Sequence, residues 1–194
     1  MSRNLPSLPA RLLAAEVETT VDPVLVMVSG LPDSGKSYLA RRLAVELRAI
    51  VVESDRVRKA LFPEPGYSAQ ESLANHGACR EIIQLLLSRG VRVIYDTTNL
   101  VEIQREVVYN LAERNGAWLL IVHVVCPPGV TCERLELRNI HNDNLSDADR
   151  RVYVQMVESE QPILRSHTPV DTSQDVESSI ANIVRQVQRH RSRL

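Results

Sequence analysis

The chain has 194 residues, 44% of them hydrophobic, and its formal net charge is −1. This length and composition suit one ordinary domain with its own core, and the near-zero charge excludes a strong general attraction to nucleic acid or to membranes. The three cysteines do not suit a disulfide framework, so we expect a reducing, cytoplasmic location, and no apolar run approaches the roughly 20 residues of a membrane helix.

Residues 1–22 have the character of an appendage, with a short helix expected over 11–17, and we place one domain over 23–194. Within that domain, apolar β-branched runs alternate with segments of helical periodicity. The predicted strands cover residues 24–28, 49–53, 91–95, 117–125 and 168–171. The predicted helices cover residues 38–47, 56–61, 69–89, 100–115, 130–139, 147–161 and 176–193.

Strands that alternate with helices imply a parallel sheet with helices on both faces. We therefore predict an α/β fold, a three-layer sandwich with about five parallel strands. Ligands of such sheets bind beyond the carboxyl ends of the strands. Polar residues that directly follow a predicted strand are accordingly the first candidates for a functional site.

The most specific motif is GLPDSGKS at residues 30–37, which fits the phosphate-binding loop G-x-x-x-x-G-K-S/T at every fixed position. It lies between a buried strand and a helix, which is the setting that this loop requires, and it predicts a P-loop NTPase fold. Lys36 would reach the β- and γ-phosphates of ATP, and the Ser37 hydroxyl would bind Mg²⁺. The predicted ATP-binding residues are Gly30, Leu31, Pro32, Asp33, Ser34, Gly35, Lys36, Ser37 and Tyr38.

Asp55 and Arg58 stand where the second strand opens into a helix, and their spacing places them on one helical face. A carboxylate there can accept the proton of an attacking hydroxyl, and the arginine can hold that carboxylate or a substrate phosphate. The alternative is a helix-capping aspartate followed by a solvated arginine.

Asp96 ends the third strand, the usual place of a carboxylate that reaches Mg²⁺ through water, and Asn99 follows as a substrate-side or structural residue. Here too, helix capping is the alternative. Arg134 and Arg138 share a helical face ahead of a polar loop over 140–145 that we expect to close on ATP. One of the two would stabilise charge on the phosphoryl group; the alternative is a solvated arginine stripe.

Taken together, the phosphate loop, the segment SDRVR at 54–58, the segment YDTTNL at 95–100 with Arg105, and the segment ERLELRN at 133–139 resemble a known family. They are similar to the predicted P-loop kinases often labelled as AAA-type ATP-binding domains. That group is close to polynucleotide 5′-hydroxyl kinases and more distant from zeta toxins and seryl-tRNA kinases. The resemblance implies that Asp55 is the general base and that Arg58 contacts a phosphate on the acceptor. This chain has Asn142 where the polynucleotide kinases have a further arginine.

The expected activity is thus transfer of the γ-phosphoryl group of ATP, with Mg²⁺, to a hydroxyl on a nucleic acid 5′ end or a small molecule. The alternative is an ATPase or nucleotide-binding switch without an acceptor. A guanine-reading [N/T]-K-x-D element is excluded, because the only other lysine, Lys59, follows an arginine. The three central histidines, His76, His123 and His141, lack the spacing of metal ligands. No membrane partner is expected, and oligomeric state is left open.

Overall fold

The computed structural model describes residues 19–141 and 147–191, apart from the side chains of 136, 138–141, 147–152 and 191. The strands are β1 Val24–Ser29, β2 Ile50–Glu53, β3 Val93–Asp96, β4 Trp118–Val125 and β5 Thr168–Asp171. The helices are α1 Lys36–Leu47, α2 Ser54–Leu61, α3 Ala69–Ser88, α4 Glu102–Arg114, α5 Pro128–His141, α6 Asp147–Ser159 and α7 Glu177–Arg191.

The five strands form one parallel sheet in the order β2-β3-β1-β4-β5, which confirms the predicted α/β architecture. β1 is the central strand, with β3 and β2 on one side of it and β4 and β5 on the other. Val28 of β1 is in register with Asp96 of β3, which is in turn in register with Glu53 of β2. The carboxyl ends of these three strands therefore meet at one edge of the sheet.

Both faces of the sheet are buried, and β1 contributes alternately to each. Its residues 24, 26 and 28 pack with apolar side chains of α1 and α7, whereas residues 25 and 27 pack with α3 and α4. A strand that is covered on both sides must be apolar at every position. This explains why β1 is a continuous hydrophobic run instead of an alternating one.

Several element boundaries differ from the sequence-based expectation for local reasons. β3 begins only at Val93, because Val91 forms an antiparallel bridge with Thr19. α5 begins at Pro128, since proline is well suited to the first position of a helix, and extends to His141. The expected helix over 11–17 lies outside the described residues, as do residues 142–146 of the expected polar loop.

Two general expectations can be compared with the described part of the chain. No helix within residues 19–141 and 147–191 has the length and apolar character needed to cross a membrane. All three cysteines lie in this part and are free thiols, with Cys79 buried and Cys126 and Cys132 partly buried.

Candidate active site

The phosphate loop is shaped by two glycines in conformations that other residues rarely adopt. Gly30 has φ 148°, and a Cβ there would overlap the carbonyl oxygen of Val124. Gly35 has φ 86° and precedes Lys36, the first residue of α1, without any side chain capping the helix. The uncapped N–H groups and the helix dipole favour an anion at this position. The loop therefore has the backbone geometry of a phosphate cradle.

A further polar group in the cradle is the Ser34 hydroxyl, which is buried and has no hydrogen-bond partner among the described residues. A buried hydroxyl without a partner is unfavourable unless a ligand satisfies it. Ser34 does not line the cavity described below, and its hydroxyl lies against Gly30 within the loop. The backbone of the loop as a whole fits a bound nucleotide.

Lys36 is only 8% exposed, and its ammonium donates a hydrogen bond of 2.6 Å to the carbonyl oxygen of Leu31. Burial lowers the pKa of this ammonium, while the negative charges of Asp96, Asp33 and Asp55 oppose that change. The lysine thus lies inside the loop and among carboxylates from three different segments. Its charge is directed at the space where a nucleotide phosphate would bind.

Asp96 is the last residue of β3, and the Ser37 hydroxyl lies close enough to its carboxylate to favour the charged form. Burial raises the pKa of Asp96, and the Ser37 hydroxyl and the charge of Lys36 act in the opposite direction. The capping alternative does not hold, because the next helix begins only at Glu102. Asp96 instead lies close to the serine of the phosphate loop.

Asp55 occupies the first turn of α2, which begins at Ser54, two residues earlier than predicted. The N-cap is Glu53, and no side chain caps this helix. Asp55 is therefore not a capping residue. It is exposed and lines the same cavity as Lys36. The structure brings the predicted base and the phosphate loop together in one site.

Arg58 takes a different direction from Asp55, although the two share a helix. Its guanidinium is buried, donates to the Ser72 hydroxyl at 3.3 Å, and lies 4.0 Å from the Glu71 carboxylate. The ring centroid of Tyr67 is 5.0 Å from the guanidinium carbon. Arg58 thus lies behind Tyr67 and does not form part of the cavity wall.

Arg134 links the phosphate loop to the segment after β5. It donates to the hydroxyl of Thr172 at 3.1 Å and to its carbonyl oxygen at 2.7 Å, with a longer bond of 3.5 Å to the carbonyl of Asp33. The Thr172 hydroxyl in turn donates to the carbonyl of Ser34. The side chain of Arg138 lies outside the described residues, so its role stays a prediction. Closure of the 140–145 loop stays a prediction as well, because residues 142–146 also lie outside them.

Asn99 lies in a buried loop with φ 47°, and its backbone carbonyl accepts hydrogen bonds from Ser29 and Arg105. Arg105 is 1% exposed and also donates to the carbonyl oxygens of Leu100 and Pro162. This arginine joins the loop after β3 to the segment after α6. The backbone of Asn99 is thus part of this junction, and a substrate-side role of its side chain stays a prediction.

Several of these residues line one cavity of about 780 Å³. The lining residues fall into two sets according to the elements that carry them. The first set, called the nucleotide end below, consists of the phosphate loop with Arg134, Thr172, Gln174, Asp175 and Val176, from α5 and the segment after β5. The second set, called the acceptor end below, consists of Asp55, Tyr67, Thr98 and Met156, from α2, the loop before α3, the loop after β3, and α6. The cavity thus brings side chains from several distant parts of the chain to the phosphate loop.

Sequence reasoning did not single out two residues of this site, Tyr67 and Thr172. Thr172 directly follows the fifth predicted strand, so the rule that ligands bind beyond strand ends would have identified it. Tyr67 carries no comparable signal, since it lies in a loop. Among the described histidines, His76 lies near the Tyr95 hydroxyl and His123 near Glu160, and no group of three metal-binding side chains occurs in residues 19–141 and 147–191.

Comparison with curated proteins finds similarity to adenylyl-sulfate kinases and to a KTI12 homolog. An adenylyl-sulfate kinase of Thermodesulfovibrio yellowstonii is 28% identical over 122 residues, which is 60% of this chain and 60% of the relative. The human KTI12 homolog is 39% identical over 111 residues, or 54% of this chain and 31% of the relative. The chain thus spans at most 60% of the length of these two relatives.

Solved structures share the fold. The structure of the Mycobacterium tuberculosis APS kinase CysC in complex with AMPPNP and APS has a TM-score of 0.68 at 17% identity, covering 86% of this chain and 98% of that one. Chaetomium thermophilum Kti12 in complex with ADP-AlF3 has a TM-score of 0.65 at 18% identity, covering 84% and 97%. At these identities, the likeness supports a P-loop kinase-like fold.

The AAA_33 family model, described as an AAA domain, matches residues 25–163 and therefore well over half of the chain. The matched range includes the phosphate loop, Asp55 and Asp96. The chain belongs to the AAA_33 family and has a P-loop, kinase-like fold.

Proposed function

We propose that the protein is a kinase that transfers the γ-phosphoryl group of ATP to a hydroxyl acceptor. The observation that carries this proposal is the presence of Asp55 in the wall of the cavity that also contains Lys36 and Ser37. A domain that only binds or hydrolyses nucleotide has no need of an acceptor-side carboxylate. The kinase-like relatives support the same class of reaction.

ATP would lie with its phosphates in the cradle formed by residues 30–37 and its base toward Gln174 and Val176 at the nucleotide end. The backbone N–H groups at the start of α1 and the Lys36 ammonium would hold the β- and γ-phosphates. Arg134 is placed beside this path by its bonds to Thr172. Arg134 or Arg138 would supply the second cation that stabilises the transferring group.

Ser37 and Asp96 fit Mg²⁺. Both offer hard oxygen ligands, and the effect of the Ser37 hydroxyl on the pKa of Asp96 supports their closeness. Few protein ligands are sufficient, because Mg²⁺ in kinase sites usually keeps several waters and takes the rest of its ligands from phosphate. The ion would contribute neutralisation of phosphate charge.

Asp55 would act on the acceptor. The acceptor oxygen would attack the γ-phosphorus, the bond from that phosphorus to the β-phosphate oxygen would break, and ADP would leave. The hydroxyl proton would pass to the Asp55 carboxylate, whose exposed position in the cavity leaves it open to a substrate. Arg58 would contact a phosphate of the acceptor only after Tyr67 had moved, because the ring now covers the guanidinium.

The test is incubation of the protein with γ-labelled ATP, Mg²⁺ and a panel of acceptors: 5′-hydroxyl DNA and RNA, nucleosides, sugars and amino-sugars. A kinase labels at least one class of acceptor faster than it releases phosphate to water. Strong ATP hydrolysis with no labelled acceptor would instead establish the ATPase or switch alternative.

A further inference from the structure

We propose that Tyr67 is the stacking platform for a planar, nucleobase-type ring on the acceptor. This inference rests on the proposed kinase function and specifies its substrate class. It begins with the exposure of the ring: Tyr67 is 66% exposed, yet it lines the cavity at the acceptor end together with Asp55. An exposed aromatic face next to the expected base is a recognition surface for another flat group.

The backbone of Tyr67 is held in a conformation that aromatic residues rarely adopt. Its φ is 54°, in the left-handed region. Strain of this kind persists only where the surroundings enforce it, and it is concentrated at functional sites. The position of the ring in the cavity wall makes Tyr67 a candidate for such a functional role.

Hydrogen bonds on both sides of Tyr67 enforce this conformation. Before it, the N–H of Gly66 donates to the Glu71 carboxylate at 3.2 Å. After it, the Ser68 hydroxyl caps α3 by accepting a bond of 3.2 Å from the N–H of Glu71. The turn is thereby fastened to the first turn of a 20-residue helix. The ring is presented in advance of substrate binding, which limits the entropy lost when a partner stacks on it.

The inner face of the ring is already occupied by Arg58, whose guanidinium carbon is 5.0 Å from the ring centroid. The guanidinium is buried, and its Nε and Nη1 have no hydrogen-bond partner among the described residues. A cation that is so poorly solvated interacts strongly with an aromatic face. It also draws electron density toward itself, so the outer face becomes a better partner for a second π-system.

This arrangement explains why an arginine is buried behind the cavity wall and not exposed in it. Arg58 supports the platform from behind, and the Ser72 hydroxyl keeps it in place through a bond of 3.3 Å. The acceptor would then lie with its ring on Tyr67 and its hydroxyl toward Asp55. Acceptors without a planar ring cannot form π-stacking on this surface, so the site favours nucleoside-type alcohols.

The test compares acceptors that have the same hydroxyl with and without a base: adenosine against methyl ribofuranoside, and a 5′-hydroxyl oligonucleotide against the same strand with an abasic 5′ residue. The first pair detects a free nucleoside and the second a strand end. Stacking on an aromatic side chain is worth about 5- to 150-fold per base. We expect the base-containing member of one pair to have a KM lower by a factor in that range.

The variants are Tyr67→Phe, which keeps the ring, and Tyr67→Leu, which removes it while keeping apolar bulk. Phe should retain the preference for a base, whereas Leu should lose it with an unchanged KM for ATP. Tyr67→Asn also removes the ring, tolerates a positive φ, and serves if the leucine variant folds poorly. The matched control is Leu73→Ala, since Leu73 is 69% exposed on α3 and does not line the cavity.

Equal KM values for both members of each pair, or a preference that survives in Tyr67→Leu, would overturn the platform. Its failure is separable from failure of the kinase proposal. Transfer to ring-free acceptors at the same rate in wild type and Tyr67→Leu keeps the kinase and rejects the platform. If nothing is phosphorylated, adenosine binding in the presence of ADP decides: binding that Tyr67→Leu weakens supports the platform, and absence of binding rejects it.

Discussion

The nucleotide end and the acceptor end of the cavity are built in different ways. The phosphate cradle consists mostly of backbone from eight consecutive residues, shaped by the φ values of Gly30 and Gly35. The acceptor end is assembled from side chains on α2, the loop before α3, the loop after β3, and α6. A site made of local backbone can be recognised as a motif, whereas a site made of distant side chains depends on the packing of whole elements.

The two ends should also respond differently to substitution. At the nucleotide end, the loop is held by Thr172 and Arg134, which lie far away in the sequence. At the acceptor end, Asp55 stands exposed in the cavity, while Arg58 is turned away behind Tyr67. Substitutions at the first end should therefore affect ATP, and those at the second end should affect the acceptor while ATP binding is retained.

The largest effect is expected for Lys36→Ala. Removal of a cation that stabilises phosphoryl transfer should lower the rate by on the order of 10³-fold or more. The chain offers a matched control in Lys59→Ala, because Lys59 is the only other lysine and is exposed on α2. Both variants are compared by γ-labelled transfer. Normal turnover by a folded Lys36→Ala protein would refute the assignment of residues 30–37 as the site that binds the phosphates of ATP.

Asp55→Asn tests the acceptor end, where we expect an effect on transfer without an effect on ATP binding. Asparagine keeps the size of the side chain but cannot take a proton, so transfer should fall by about 10²- to 10⁴-fold while ATP affinity is retained. Transfer, ATP affinity and melting temperature are measured on one preparation. Unchanged transfer would contradict the base assignment. Loss of both transfer and ATP affinity would instead indicate that Asp55 contacts the metal ion or the phosphates of ATP.

Arg105→Leu tests the junction between the loop after β3 and the segment after α6. It leaves the carbonyl oxygens of Asn99, Leu100 and Pro162 without this donor. We expect a loss of roughly 3 kcal/mol, or a melting temperature lower by about 6–12 °C for a chain of this length. The control is Arg114→Leu at the exposed end of α4. A shift no larger than that of the control would argue against a structural role.

A smaller effect, about tenfold in ATP affinity, is expected for Thr172→Val. Valine matches threonine in shape but leaves the Ser34 carbonyl without its donor and removes one acceptor of Arg134. Thr172→Ser keeps the hydroxyl and should retain most of the affinity. Calorimetric titration with a non-hydrolysable ATP analogue distinguishes the two variants. Equal affinity in both would show that the hydroxyl does not support the phosphate loop.

Much of the architecture follows from local patterns in the chain. Apolar β-branched runs alternating with helical periodicity predict the parallel sheet, and four of the five strands begin within one residue of the expected position. The exception is β3, whose first expected residue, Val91, pairs with Thr19 instead. A contact with residues 72 positions away cannot be seen in the local pattern, because it depends on where the preceding segment lies.

The same distinction applies to the site. The phosphate loop, Asp55 and Asp96 were predictable, because the spacing of a motif and the ends of parallel strands determine their place. Burial of Arg58 behind Tyr67, the bonds of Thr172 to the loop, and the junction at Arg105 were decided only by tertiary packing. In each of these cases a side chain finds its partner across elements, and the direction it takes depends on the space and hydrogen-bonding groups that its neighbours leave.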